Sequence, residues 1–397
     1  MVTALPRLPG EAPAVQRLSC LTGCPPRAHA WDMKKTTKLA PAPKAALPAA
    51  SEPRRRPTIN DVARLANVSK KTVSRVINQS PFVNKETRKR IDAVIAELGY
   101  APDPVARGLA SRRSYLVGLI YDNPNPQHVI DTQQGILDII RGSGLELVVH
   151  PCNRRDKDFL PGVRGFIDRQ KLAGVILPSS VSEDEELVAL LRESDTPYVR
   201  IASVLLDNEE NSIVTHDREG ARQAAEHLAG LGHKTIAHVS GPDTFRSSHE
   251  RRAGFMEGLK AAGLSLDKKL DLRGAYTFQS GVDAGRKLMG QAMKPTAVFC
   301  GNDEMAAGVC QAIRETGLDI AKDVSVVGFD DSPLASRMWP ALTTVLLPVK
   351  ATGRMASVRL LGDRLTKEPL EEDSHGEVHP RRVVRASTGP VRPADGA

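Results

Sequence analysis

The sequence predicts an α/β protein. An N-terminal, all-α helix-turn-helix domain precedes a two-lobed domain built on two parallel sheets. Three observations carry this. Residues 58–99 place apolar side chains at helical spacing in three short runs. From Tyr115 onward, short apolar runs alternate with amphipathic stretches of helical length, the texture of parallel strands covered by helices. That alternation lasts for about 280 residues, more than one ordinary core holds, so two lobes are expected.

Residues 1–57 come first. They are rich in Ala and Pro, as in "APAPKAALPAASEP", show no apolar period, and are expected to be a disordered extension. No apolar core of signal-peptide length follows a basic start. Met33 opens "MKKTTKLAP" and reads as an alternative translation start; a native peptide upstream of it in mass spectrometry would exclude that.

Residues 58–102 hold the helix-turn-helix. In "TINDVARLA", Thr58 is an N-cap with Asp61 three residues on, a capping-box pattern, and Ile59, Val62, Ala63 and Ala66 share a face. "ANVS" breaks the helix: Asn67 tolerates left-handed backbone, and Ser69 caps the second helix. A third helix starts at Asn84, turns Ile91, Val94, Ile95 and Leu98 inward, and ends at Gly99. In "DPVARGLASRRS", Asp103 can cap and Pro104 suits a first helical position, so 103–114 predicts a short isolated helix.

Residues 115–390 then alternate. Strands are expected at "YLVGLIYD", "LELVVHP", "GVILPS", "PYVRIAS", "TIAHVSG", "LDLRGAY", "AVFCG" and "VSVVGFDD", with helices over about 128–141, on either side of "GVILPS", and from Ser247, Phe278 and Asp303. Ligands of such folds bind beyond the carboxyl ends of the strands, and with two lobes the cleft between them is the natural site.

Charge narrows the function. The chain carries a formal net charge of +8. Residues 54–113 hold 14 Lys/Arg against 5 Asp/Glu, while the remainder holds 41 against 42. The positive charge belongs to one segment of the chain, which points to a polyanion, nucleic acid ahead of membrane. No apolar run reaches membrane-spanning length, so no membrane partner is expected. Five scattered cysteines, Cys20, Cys24, Cys152, Cys300 and Cys310, fit reduced thiols and a cytoplasmic protein better than a disulfide framework.

The stretch "LANVSKKTVSRVIN" gives the polyanion a geometry. Val73, Val76 and Ile77 face the other helices, leaving Lys70, Lys71, Ser74 and Arg75 outward. Such a helix enters the major groove, where Lys and Arg donate to guanine O6 and N7 and Thr72 and Ser74 reach phosphates or base edges. Thr58, Ser69 and Asn78 complete the candidate contacts on double-stranded DNA.

At these residues the chain resembles the lactose-repressor (LacI/GalR) family of bacterial transcriptional regulators. The resemblance begins at "TINDVARLANVSKKTVSRVIN" and continues through "TRKRIDAVIAELGYAPDPVARGLASRRS", "VVGFDD", "PALTTV" and "RRVVRAST". It spans nearly everything from Thr58 to Thr388, with its motifs in family order. Asn67 departs from the family's usual Gly. The resemblance implies a periplasmic-binding-protein-like effector domain over 115–390 and a hinge helix over 103–114. That helix would pair with its dimer mate in the minor groove, Leu109 wedging the central base step. Pyrimidine–purine steps unstack at least cost, so one is expected there. Arg107, Arg112 and Arg113 would hold phosphates. Read from the residues alone, Leu109 is an ordinary packing residue.

The same resemblance marks the cleft. Arg251 can fork onto hydroxyls or a carboxylate, Asn302 and Asp330 stand at strand ends, and Tyr276 can stack on a sugar face. Asn125, Gln127 and His128 are the first-strand loop candidates, although a merely satisfied or exposed histidine is equally compatible with His128. Paired hydrogen-bonding groups with an aromatic platform suit a carbohydrate. A nucleobase or another non-sugar metabolite is the alternative effector. Asp303 reads as a helix cap and Asp331 as structural, and Trp339 either lines the cleft or packs between the lobes.

Other functions fit less well. There is no dinucleotide fingerprint, Walker loop or zinc-protease motif, so no enzyme and no cofactor is expected. A sugar-binding receptor would share the lobes but have no use for 58–113. A sugar-processing enzyme on a DNA anchor would turn its ligand over. The expectation is a repressor of carbohydrate-utilisation genes, a homodimer on a pseudo-palindromic operator with half-sites about one helical turn apart. Release and promotion of binding by the effector both remain open. The chain shows no leucine heptads after "RRVVRAST", so nothing predicts a tetramer.

Overall fold

The computed structural model describes residues 57–77, 80–100, 114–365 and 370–392. Asn78, the expected hinge residues Arg107, Leu109, Arg112 and Arg113, and Cys20 and Cys24 lie outside the described residues.

Three helices open the described chain: α1 (Ile59–Leu65), α2 (Lys70–Ile77) and α3 (Lys85–Leu98). Local chemistry sets each boundary. The Thr58 N–H and hydroxyl both donate to Asp61 Oδ2, at 2.9 and 2.7 Å. Asn67 takes φ 50°, and the turn closes with the Val68 N–H on the Ala63 carbonyl at 3.0 Å. Ser69 Oγ accepts from the Thr72 N–H at 3.1 Å, and Asn84 Oδ1 from the Glu86 N–H at 2.8 Å. Gly99 ends α3 at φ 59°, where a Cβ would be strained. Val62, Ala63, Ala66, Val73, Val76 and Ile91 form the core, with Ile59, Ile77, Val94, Ile95 and Leu98 packed around it. The Arg88 guanidinium donates to the Ser80 carbonyl at 2.6 Å and ties α3 to the segment after α2.

The first lobe is a five-stranded parallel sheet in the order β2-β1-β3-β4-β5. Its strands are β1 (Leu116–Tyr121), β2 (Glu146–Pro151), β3 (Gly174–Leu177), β4 (Tyr198–Ala202) and β5 (Ser212–Val214). Helices α4 (Pro126–Ile140), α5 (Phe159–Gln170) and α6 (Glu185–Glu193) cover it. Alternation along β1 sends Val117 and Leu119 to one core and Ile120 to the other, so both faces are buried.

The second lobe holds four parallel strands in the order β7-β6-β8-β9. These are β6 (Ile236–Ser240), β7 (Asp271–Arg273), β8 (Ala297–Cys300) and β9 (Ser325–Val327). Helices α7 (Asp217–Gly230), α8 (Arg246–Ala261), α9 (Phe278–Met289), α10 (Asp303–Glu315) and α11 (Pro333–Arg337) surround them. Helices α7 and α8 cross so closely that a Cβ on Gly254 would lie 1.9 Å from the Arg218 carbonyl oxygen.

A short antiparallel pair, β10 (Thr344–Leu346) with β11 (Arg381–Val383), joins the second lobe, and α12 (Val349–Leu361) returns to the first. The chain therefore crosses between lobes three times, at 215–216, 347–348 and 375–380. The first and third crossings pair: the Val214 N–H donates to the Gly376 carbonyl at 2.9 Å, and the Val378 N–H to the Val214 carbonyl at 2.8 Å. Strands β5, β10 and β11 were not expected from the sequence. Helix α12 was not expected either.

Candidate functional site

Helix α2 separates its faces as its sequence requires. Val73 and Val76 are buried, whereas Ser69, Lys70, Lys71 and Arg75 are exposed and Thr72 and Ser74 half-buried. Three cations thus stand on one side of a helix whose other side is anchored. The Thr58 hydroxyl proton is committed to Asp61, so Thr58 has only its oxygen lone pairs to offer a partner.

The second candidate site lies beyond the strand ends of the two lobes. A narrow cleft, its cavity volume about 20 Å³, brings together Asn125, His128, Arg251, Tyr276, Asn302 and Asp330, with Asn123, Ser179, Phe245 and Ser247 around them. Six of the seven residues expected there meet. Gln127 does not line this space; it donates to Asp131 Oδ1 at 2.8 Å and faces a neighbouring groove.

Arg251 is the centre. It comes from α8, is 5% exposed, and its Nε donates to Asp217 Oδ1 at 2.7 Å. Its Nη1 donates to the Gly301 carbonyl and lies 3.3 Å from Asp330 Oδ1. The guanidinium rests on the Phe329 ring, 3.8 Å from its centroid. Burial opposes the charge, but Asp217 and then Tyr276 and Asp330 outweigh it and raise the Arg251 pKa above the ordinary arginine range.

Asp330 is built to hold an acceptor in place. It sits at φ 106° and its neighbour Asp331 at φ 55°, consecutive left-handed residues that only surrounding structure maintains. The Asp330 N–H donates to the Val345 carbonyl at 2.8 Å. Its Oδ1 is buried and makes no hydrogen bond, the Arg251 contact lacking the required geometry. Burial pushes its pKa up to about 6; Arg251 pulls it down and Asp217 up. Asp331 points elsewhere, to Arg385 at 2.7 Å. The two carboxylates therefore serve different arginines and form no acid–base pair.

His128 is half-buried, and burial followed by the Arg251 charge lowers its pKa to about 4. It is neutral at pH 7, with one ring nitrogen to donate and one to accept. Tyr276 is 7% exposed at φ 60°, edge-on to Phe245 with centroids 5.5 Å apart. Gly241 lies flat against it: a Cβ there would come within 2.1 Å of the ring.

Two expectations are corrected. Asn302, not Asp303, caps α10: its Oδ1 accepts from the Met305 N–H at 3.0 Å and its Nδ2 donates to the Tyr276 carbonyl at 3.1 Å. Asn302 reaches the cleft with much of its hydrogen bonding already committed. Trp339 is 88% exposed and neither lines the cleft nor packs between the lobes.

Asp303 instead ties α10 to the segments after β9 and in β10. Its carboxylate accepts from the Thr344 hydroxyl at 2.6 Å and the Ser332 N–H at 2.7 Å. Burial, then Asp330, pushes its pKa from 3.8 up to about 8 against these bonds. A raised carboxyl favours folding in its protonated form, so this contribution is complete below pH 4 and disappears as pH rises through 8. Asp303→Asn mimics the protonated acid. Its melting temperature relative to the parent is expected to rise between pH 5 and pH 8.5; a constant difference would refute the assignment.

Asp217 is the residue that sequence reasoning missed. It is 1% exposed, receives the Thr215 hydroxyl and pairs with Arg251. An acid at the first position of a helix reads as a partner for the helix dipole, and nothing local announces an arginine 34 positions later.

Comparison with known proteins identifies both parts of the chain. The model for bacterial regulatory proteins of the lacI family matches residues 58–103, and that for a periplasmic binding protein-like domain matches 225–388. Catabolite control protein A of Priestia megaterium is 35% identical over 315 residues, covering 79% of this chain and 94% of that one. The HTH-type transcriptional regulator CelR of Thermobifida fusca is 36% identical, covering 81% and 95%. Among solved structures, a CelR–cellobiose complex aligns over 84% of this chain and all of its own, with TM-score 0.60 and 32% identity. The lac repressor dimer bound to operator does so over the same shares, with TM-score 0.70 and 28% identity. Identity above 30% across nearly the whole of such regulators decides the matter: the chain belongs to the lacI family of bacterial regulatory proteins.

Proposed function

We propose that this transcriptional regulator is a homodimeric repressor that inserts α2 into the major groove of its operator and loses or gains operator affinity when a sugar occupies the cleft. The observation that supports the sugar most is Asp330 Oδ1, a buried carboxylate oxygen with no hydrogen bond, beside Arg251 and neutral His128. A buried carboxylate oxygen held only by a 3.3 Å ion pair keeps lone pairs to spare, and a ligand hydroxyl supplies a donor for them. Arg251 and His128 offer complementary groups to neighbouring hydroxyls, and Tyr276 an aromatic wall. A relative's structure with cellobiose in complex points the same way.

The lobes already touch beside this cleft. Both Glu183 carboxylate oxygens accept from the Arg246 N–H at the start of α8, at 3.2 and 3.0 Å, and Arg154 donates to the Thr244 carbonyl at 3.0 Å. A ligand that binds the joined and separated arrangements with different affinity shifts their balance, and with it the spacing of the DNA-binding segments.

Selection from random duplexes at fixed, near-physiological salt tests the DNA reading; a palindrome with a deformable centre is expected. Titrating the selected duplex complex with a panel of sugars and nucleosides then identifies the effector. Asp330→Asn keeps the side-chain shape and is expected to bind operator normally while its response requires at least about tenfold more effector, the loss of one charge-assisted hydrogen bond. An unchanged effector response in Asp330→Asn would remove this residue from the site.

A further inference from the structure

We propose that the chain binds a divalent transition-metal ion of the Zn²⁺ class at a second site, through His216, Glu377 and His379. Two local spacings build it. His216 immediately precedes α7, and Glu219 follows one helical turn later on the same side. Glu377 and His379 are two apart on the extended segment that pairs with Val214, so both project to one face. The pairing of the first and third crossings brings these two faces together.

The donors converge. His216 Nε2 lies 3.1 Å from Glu377 Oε2, and His379 Nε2 lies 3.7 Å from the same oxygen. One donor atom from each of the three residues fits within 4.8 Å of the others. Tetrahedral zinc with bonds of about 2.0–2.1 Å needs neighbouring donors about 3.3 Å apart. Two of the three edges are near that spacing and the third is no longer than 4.8 Å, so a small side-chain adjustment closes the set, and the half-exposed setting leaves a fourth position to water.

One further feature favours an ion over a plain ion pair. His379 uses its other nitrogen: Nδ1 lies 3.1 Å from Glu219 Oε2. A carboxylate behind a histidine sets the tautomer that leaves Nε2 free to ligate, the usual outer partner of a metal-bound imidazole. The two imidazoles stack, centroids 4.6 Å apart and 8° from parallel; a metal lies in the plane of the ring that binds it, so joint ligation turns one ring about its side-chain bonds, which the exposed His379 is free to do. Two nitrogens and a carboxylate without thiolate suit Zn²⁺ better than Mg²⁺ or Ca²⁺, which take oxygen cages. An ion here would join two of the three crossings between the lobes, away from the sugar cleft.

The test uses the full chain with Cys20→Ser and Cys24→Ser, so that these thiols do not compete. Calorimetric titration with Zn²⁺ in chelator-treated buffer is expected to show one ion per chain, and Co²⁺ to give the visible absorption of a low-symmetry nitrogen–oxygen site. His216→Ala with His379→Ala should weaken binding by at least about tenfold, and Glu219→Gln by about tenfold with unchanged stoichiometry. His379 is 62% exposed, so His379→Ala alone serves should the pair fail to fold. Absence of stoichiometric Zn²⁺ binding, or undiminished binding by these variants, would overturn the proposal.

Discussion

Arg251→Ala is expected to lower folding stability by about 3–5 kcal/mol, the cost of removing one partner from a buried ion pair. The arginine supplies the cation that pairs with Asp217, and Asp217 is 1% exposed. Removing the guanidinium leaves that carboxylate and Asp330 buried together without compensation, and strips the face of Phe329 of its 3.8 Å contact. Lysine is a poor replacement, because one ammonium cannot span Asp217, the Gly301 carbonyl and Asp330. Urea unfolding checks the value. Pairing Arg251→Ala with Asp217→Asn should recover part of the loss, since the second change removes the stranded charge. A loss below about 1 kcal/mol would show that water reaches the site and that burial there is overstated. The residue proposed to meet the effector is thus also a keystone of the second lobe, so its variants cannot by themselves locate the ligand. Asp330→Asn answers that question more cleanly.

This double role bears on what the sequence made legible. Thr58, Asn67, Ser69, Asn84 and Gly99 act through bonds to neighbours a few residues away, and each stands where its type demands. Strands such as β1, β3 and β8 were legible for a related reason: a strand buried on both faces writes its burial directly as an apolar run. Arg251 and Asp330 came to notice through family motifs, but the contacts that define them did not. Asp217 is 34 residues from Arg251, and Glu377 is 161 from His216. The first pair is created by two helices packing in the second lobe and the second by the crossings between lobes, and neither leaves a periodic trace. Asn302 and Asp303 show a finer limit. Both residue types cap helices, so composition alone does not decide which one points along the axis and which turns inward to Thr344.

Arg75→Ala is expected to leave the fold intact and reduce operator discrimination by about 1–3 kcal/mol, roughly tenfold to more than a hundredfold, the range of one lost base contact. The fold should survive because Arg75 is exposed while the neighbouring Val73 and Val76 hold α2 in its core. Alanine also keeps the helix, being the better helix former. Lys70→Ala and Lys71→Ala provide the contrast. A lysine on a phosphate should weaken all duplexes alike and lower the salt slope by about one, whereas an arginine on a base edge should weaken the cognate duplex alone. Affinities for selected and scrambled duplexes at several salt concentrations separate the two behaviours. If Arg75→Ala weakens both duplexes equally, its guanidinium only steers the helix onto the backbone, and discrimination must come from Lys70, Lys71 or the deformation of the central step. If it changes neither, α2 does not enter the groove by this face, and the placement of the reading helix is wrong.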